Sequence, residues 1–143
     1  MRYLAYRPRS EAEVRSYLRR RGYLPDIAEN VIEKLRSLQY INDESFARNW
    51  SLSRAQSHGY GPRRIEQELR VKGIGQPLVR DAVRDAFDQT DEESQAKRLL
   101  AKQFKGENFK EPKVLRRAVA LLQRRGYSSK VIFDLLRFST EED

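Results

Sequence analysis

The sequence predicts an all-α protein built from tandem three-helix repeats forming an elongated, curved array. A recurring glycine-centred pattern, matching helix start and stop signals, and a composition too poor in apolar residues for one large core all predict it. Gly22, Gly73 and Gly126 are spaced 51 and 53 residues apart. A leucine precedes each by four positions (Leu18, Leu69, Leu122), and an apolar residue follows directly (Tyr23, Ile74, Tyr127). Further on, Ile27, Ala28, Val31 and Ile32 of the first copy align with Leu78, Val79, Ala82 and Val83, and with Val131, Ile132, Leu135 and Leu136. That spacing marks one face of a helix. With 38% hydrophobic and 35% charged residues, small units that each bury one stripe are the natural solution.

The elements follow from local signals. Ser10-Glu11-Ala12-Glu13 is a capping box and starts the helix before the first glycine. Gly61-Pro62 and Glu111-Pro112 start the equivalent helices, because proline is tolerated in a first turn. Each glycine ends its helix by adopting the left-handed conformation at little cost. The next helix opens near Leu24-Pro25, Gly75-Gln76-Pro77 or Ser128-Ser129. A further helix precedes each pair in the second and third copies, opened by Asn42-Asp43-Glu44-Ser45 and by Asp91-Glu92-Glu93. In the first copy only Tyr3-Leu4-Ala5-Tyr6 stands in that place, so its first helix is expected to be truncated. Residues 106–112 read as a loop, and no alternating β-branched run suggests a strand. The expected units are residues 1–37, 38–88 and 89–143.

Composition narrows the function. The chain has 29 Lys+Arg against 21 Asp+Glu, a net charge of +8, and 21 of the basic residues are arginine. This excess favours acidic partners such as nucleic acid or an acidic protein surface. The absence of cysteine excludes disulfides, thiolate chemistry and Cys-ligated zinc. No segment reaches the roughly 20 apolar residues of a membrane helix, and no apolar signal-peptide core is present. A soluble, cytoplasmic monomer without membrane contact is expected.

Enzyme signatures are missing. The single histidine, His58, lies in a glycine-rich turn with no second histidine for a metal. No nucleotide-binding glycine loop occurs. The carboxylate pairs Asp43-Glu44 and Asp91-Glu92-Glu93 suit helix starts better than a metal nuclease. Neither enzymatic activity nor a metal or other cofactor is expected.

The basic residues concentrate on the helix before each glycine. Arg19, Arg20, Arg70, Lys72, Arg124 and Arg125 fall in last turns, where cations also favour the helix dipole. Arg63 and Arg64 follow Pro62 in a first turn, where the dipole disfavours them. Arg116 and Arg117 hold the same distances from their glycine and are read as the equivalent pair. These ten residues are the candidate contacts, the two arginine pairs foremost. The helix after each glycine is mixed to acidic (Asp26, Glu29 and Glu33; Arg80, Asp81, Arg84 and Asp85; Lys130 and Asp134), with ion pairs as the simplest account. Leu69, Gly73 and Val79 also have helix-turn-helix spacing. In that motif, however, the helix after the turn enters the major groove, and phosphates would repel this one.

Ser10-Glu11-Ala12-Glu13-Val14, Tyr40-Ile41-Asn42-Asp43-Glu44-Ser45-Phe46-Ala47 and, above all, Gly59-Tyr60-Gly61-Pro62-Arg63-Arg64-Ile65-Glu66-Gln67-Glu68-Leu69-Arg70-Val71-Lys72-Gly73-Ile74 resemble the RecX family. Residues 121–136 resemble that family's C-terminal repeat. The resemblance implies three-helix repeats and a bacterial regulator that mainly inhibits the RecA recombinase in recombination, DNA repair and the SOS response. It also implies binding in the groove of the RecA–DNA filament, with weak, non-specific contact to single- or double-stranded DNA. The alternative is a general nucleic-acid-binding helical-repeat protein acting on DNA directly.

Overall fold

The computed structural model describes residues 2–89 and 91–141, and among these every regular element is an α-helix. In chain order the helices are α1 (Arg2–Tyr6), α2 (Glu11–Arg20), α3 (Pro25–Ser37), α4 (Asp43–His58), α5 (Pro62–Val71), α6 (Gln76–Gln89), α7 (Glu92–Gln103), α8 (Pro112–Arg125) and α9 (Ser129–Glu141). They begin where the sequence signals place them. Ser10 forms the full capping box with Glu13, and the Asn42 and Asp91 side chains accept from the amides of Ser45 and Ser94. Gly22, Gly73 and Gly126 have φ of 88°, 80° and 90°, a region open to glycine and costly for a residue with a Cβ.

Three separate hydrophobic clusters organise the helices. Val14, Leu18, Ala28, Ile32 and Ile41 form the first, inside α1–α3. Phe46, Ala47, Ile65, Leu69, Val79 and Val83 are in the second, inside α4–α6. The third, inside α7–α9, includes Leu99, Leu100, Phe104, Leu122, Tyr127 and Leu136. Ile41 lies past the expected end of the first unit yet packs on the first core. Of the twelve repeated apolar positions, Ile27 departs most, at 47% exposed, and Tyr23 is likewise open whereas Ile74 and Tyr127 are buried. The first helix has five residues, against 16 in α4 and 12 in α7, so the first core has less to cover it.

The accessible surface is 9480 Å². A compact chain of 16.9 kDa would expose about 7,700 Å². The excess fits an extended row of small cores. Among the described residues, no helix is long and apolar enough to cross a membrane.

Candidate functional site, a cationic groove between the second and third helix trios

The trios meet through a junction whose geometry repeats. In the first, the Ser10 hydroxyl donates to the Lys72 carbonyl at 2.7 Å. In the second, the amide of Gly61, which holds the same place relative to its glycine, donates to the Arg125 carbonyl at 2.6 Å. The Arg63 amide adds a bond to the Gly126 carbonyl at 2.9 Å. A start of α2 or α5 therefore abuts the glycine-capped helix end of the following trio. The fit is too close for side chains. A Cβ on Gly73 would lie 2.3 Å from the Ala12 Cβ, and one on Gly126 would lie 2.4 Å from the Arg64 amide nitrogen. The glycines thus cap helices and also let two trios touch.

Polar groups complete each junction. At the first, Asp43 accepts from the Glu11 amide at 2.8 Å, and Lys72 pairs with Glu13 at 3.2 Å. Burial pushes the Asp43 carboxyl above its ordinary range. Burial also works to raise Glu13, but hydrogen bonds from Arg7, the Ser10 amide and Lys72 outweigh it and hold the carboxyl low. At the second, buried Tyr127 donates to the Gly59 carbonyl at 2.9 Å and accepts from Gln95, and burial raises its phenol pKa. Within the third trio, Glu92 accepts from the Ser128 amide at 2.9 Å, and Asp91 caps α7. The acidic pairs singled out in the sequence therefore serve helix starts and junctions. Among the described residues no group of three His, Asp or Glu side chains is placed to hold a metal.

A groove of about 630 Å³ opens at the second junction. Arg63, Arg64, Lys72 and Arg124 line it, together with Trp50, Arg54 and the carboxylate of Glu68. Among the described lining residues, five cations thus face one acid. Glu68 is shared: it accepts from the Trp50 indole at 3.1 Å and lies 3.6 Å from Arg54 and 3.8 Å from Arg64. Arg54 stacks over Trp50 at 4.3 Å, and Lys72 lies 5.1 Å from the same ring. Arg63 and Arg124 are exposed, and their side chains make no ion pair or hydrogen bond with a described residue. The corresponding positions at the first junction are Ala12, Glu13 and Val71 in place of Arg63, Arg64 and Arg124. The excess of cations at these positions is a property of the second junction alone.

The other sequence candidates are placed differently. Arg64 is part of the junction itself: it lies over the Tyr60 ring at 3.8 Å and donates to the Tyr60 hydroxyl at 3.0 Å and the Arg124 carbonyl at 3.4 Å. These interactions offset its unfavourable place in the first turn. Arg116 and Arg117 are not in a first turn. Helix α8 begins at Pro112, so the dipole argument that joined them to Arg63 and Arg64 does not apply. Arg117 pairs with Glu107 at 2.8 Å, while exposed Arg116 has no such partner among the described residues. Arg70 pairs with Glu66 at 3.3 Å. Arg125 donates to the His58 carbonyl at 2.9 Å. Arg19 and Arg20 are exposed at the end of α2 and are not among the groove's lining residues. Trp50 and Arg54 belong to the groove, although no sequence motif marks them. Their spacing of one helical turn places them on a shared face of α4, but nothing in the sequence says that this face borders α5 and α8. On the helices after the glycines, Arg84 lies 3.3 Å from Asp81, and Glu29 pairs with Arg15 at 2.7 Å.

Residues 1–35 match the family model described as RecX, first three-helix domain, and residues 42–83 match RecX, second three-helix domain. The regulatory protein RecX of Mycolicibacterium vanbaalenii is 34% identical over 143 residues, covering 95% of this chain and 77% of that protein. The chain belongs to the RecX family. The regulatory protein RecX of Bacillus subtilis is 32% identical over 145 residues, and the match covers 99% of this chain and 54% of that longer protein. A crystal structure of regulatory protein RecX has a TM-score of 0.76 at 26% identity, covering 95% of this chain and 66% of that one. The fold is shared with RecX from Lactobacillus salivarius, with a TM-score of 0.77 at 23% identity over 98% of this chain and 90% of that one. Helices α7–α9 lie beyond both matched RecX segments, so the cationic groove falls where the second RecX domain meets the trio that follows it.

Proposed function

We propose that this RecX-family protein regulates the RecA recombinase, mainly by inhibition, and does so by lying in the groove of the RecA–DNA filament. It acts as a monomeric, cytoplasmic, non-catalytic binding protein whose units span residues 1–37, 38–88 and 89–143. The observation that carries this reading is the convergence of Arg63, Arg64, Lys72 and Arg124, with Arg54 and Trp50, on one groove with a single acid among its described lining residues. Such a groove accepts carboxylates of the recombinase or phosphates of its DNA, and arginine suits both. Arg63 and Arg124 are the main contacts because no acid among the described residues pairs with them. Arg116, Arg19 and Arg20 extend the charged surface, while Arg64, Arg70, Lys72, Arg117 and Arg125 hold geometry as well as charge. Occupying the filament groove would block strand access or subunit addition. The test is inhibition of RecA-driven strand exchange by Arg63→Glu and Arg124→Glu variants whose helical circular dichroism is unchanged. Loss of inhibition is expected; full retention would refute the assignment.

A second reading is favoured by Trp50, since an unpaired base that displaces Arg54 from its ring would stack there beside the cations. On that reading the protein binds DNA directly, and equal affinity for bare and RecA-coated strands is its signature.

A further inference from the structure

Helices α8 and α9 carry a surface that the earlier trios lack. A groove of about 530 Å³ between them is lined by Leu115, Val119, Phe133 and Leu136, with Gln123 and Arg137 among the other lining residues. Counted from the glycine, Leu115, Val119 and Phe133 replace Glu11, Arg15 and Glu29 of the first trio, and Pro62, Glu66 and Arg80 of the second. In the first trio that face is closed by Arg15, 3.0 Å from Glu11 and 2.7 Å from Glu29. In the second, Arg70 spans from Glu66 to Gln76, at 3.3 Å each. In the third, those three positions are apolar, and although Arg137 lies 5.6 Å from the centre of the Phe133 ring, Phe133 is still 60% exposed.

We propose that this groove docks an amphipathic helix of a partner protein, with apolar anchors and an acidic flank. An apolar floor between two helices suits a helix whose anchors recur at one-turn spacing. Charge fixes the flank. Gln123 lines this groove and the cationic groove alike, so the apolar surface runs directly into the cations at the second junction. Exposed Arg116 and Lys130 stand one helical turn before Val119 and Phe133. A second copy of this chain fits poorly. It brings a net charge of +8 onto a cationic border. The apolar seat itself does not depend on what fills the rest of the cationic groove.

The test titrates the isotope-labelled full chain with a helical peptide about as long as α8, carrying leucines at one-turn spacing on a glutamate-rich background. An isomer of the same composition with scattered leucines is the control. Expected are amide shifts at Val119, Phe133 and Leu136, and binding weakened about tenfold or more by the isomer or by Phe133→Glu, as for an anchor residue. Phe133 is exposed, so Phe133→Glu spares the core; Val119→Glu gives a second variant, and circular dichroism checks both. Arg63→Glu, which impairs the cationic groove, leaves the Phe133 shift in place. Absence of binding, equal binding of the isomer, shifts confined to Arg63 and Lys72, or self-association abolished by Phe133→Glu would each overturn the proposal.

Discussion

Replacing Gly126 with alanine separates the two roles assigned to the repeated glycines. Gly22 and Gly126 have nearly the same φ, 88° and 90°, so a left-handed alanine costs about 1–2 kcal/mol at either. They differ in surroundings. A Cβ on Gly22 meets nothing within 4 Å, while one on Gly126 falls 2.4 Å from the backbone nitrogen of Arg64, which cannot yield without moving α5. Opening the junction endangers the bonds from Gly61 to Arg125 and from Arg63 to Gly126, worth roughly 1 kcal/mol each in net terms. Gly126→Ala is therefore expected to cost about 3–4 kcal/mol, some 2 kcal/mol more than Gly22→Ala. Thermal unfolding followed by circular dichroism should show Gly126→Ala melting about 5–8 °C below Gly22→Ala. Amide exchange at Gly61 and Arg63 should accelerate only in the former. Equal melting with unchanged exchange at Gly61 would refute the claim that these glycines set the approach of one trio to the next.

Reversing Arg63 and Arg124 together should reduce the salt dependence of binding to a single strand, by about 0.7 in log–log slope for each phosphate no longer neutralised, measured by anisotropy at several ionic strengths. Trp50, the sole tryptophan, lines the cationic groove, so its fluorescence should change as a ligand fills that groove, and Phe133→Glu should leave the change intact. Glu13 has a folded pKa below its ordinary value, so its contribution is present above the unfolded pKa near 4.3 and is lost as pH falls through the folded value. Glu13→Gln should flatten that acid loss in denaturant titrations. Asp43, whose folded pKa is raised, acts with the opposite sign: its contribution is present at low pH and is lost as pH rises through the folded value, so Asp43→Asn should sharpen the acid loss.

Helix boundaries were legible because each is written locally, by Ser10, Asn42 and Asp91 as caps, by prolines in first turns and by glycines at helix ends. Periodicity also located the cores, since buried positions recur at fixed distances from the glycine. Ile27 and Tyr23 escaped because the short α1 leaves part of the first trio uncovered, which no pattern inside α3 reveals. The groove was half legible. Charge clustering pointed to Arg63, Arg64, Lys72 and Arg124, but equal distance from a glycine wrongly made Arg116 and Arg117 their equivalents: α8 starts earlier relative to its glycine than α5 does. Trp50 and Arg54 were invisible for a deeper reason. They join the groove through the packing of one trio on the next, and that depends on close backbone approach at Gly126, not on spacing within either trio.

The most direct test is anisotropy of labelled single-stranded DNA, bare or coated with RecA and a non-hydrolysable ATP analogue, titrated with this protein and its Arg63→Glu/Arg124→Glu variant at two salt concentrations. A clear preference for the coated strand, abolished in the variant, is expected. Equal affinity for both strands that collapses in salt, or a preference untouched by the two reversals, would contradict the cationic groove as the site that meets the filament.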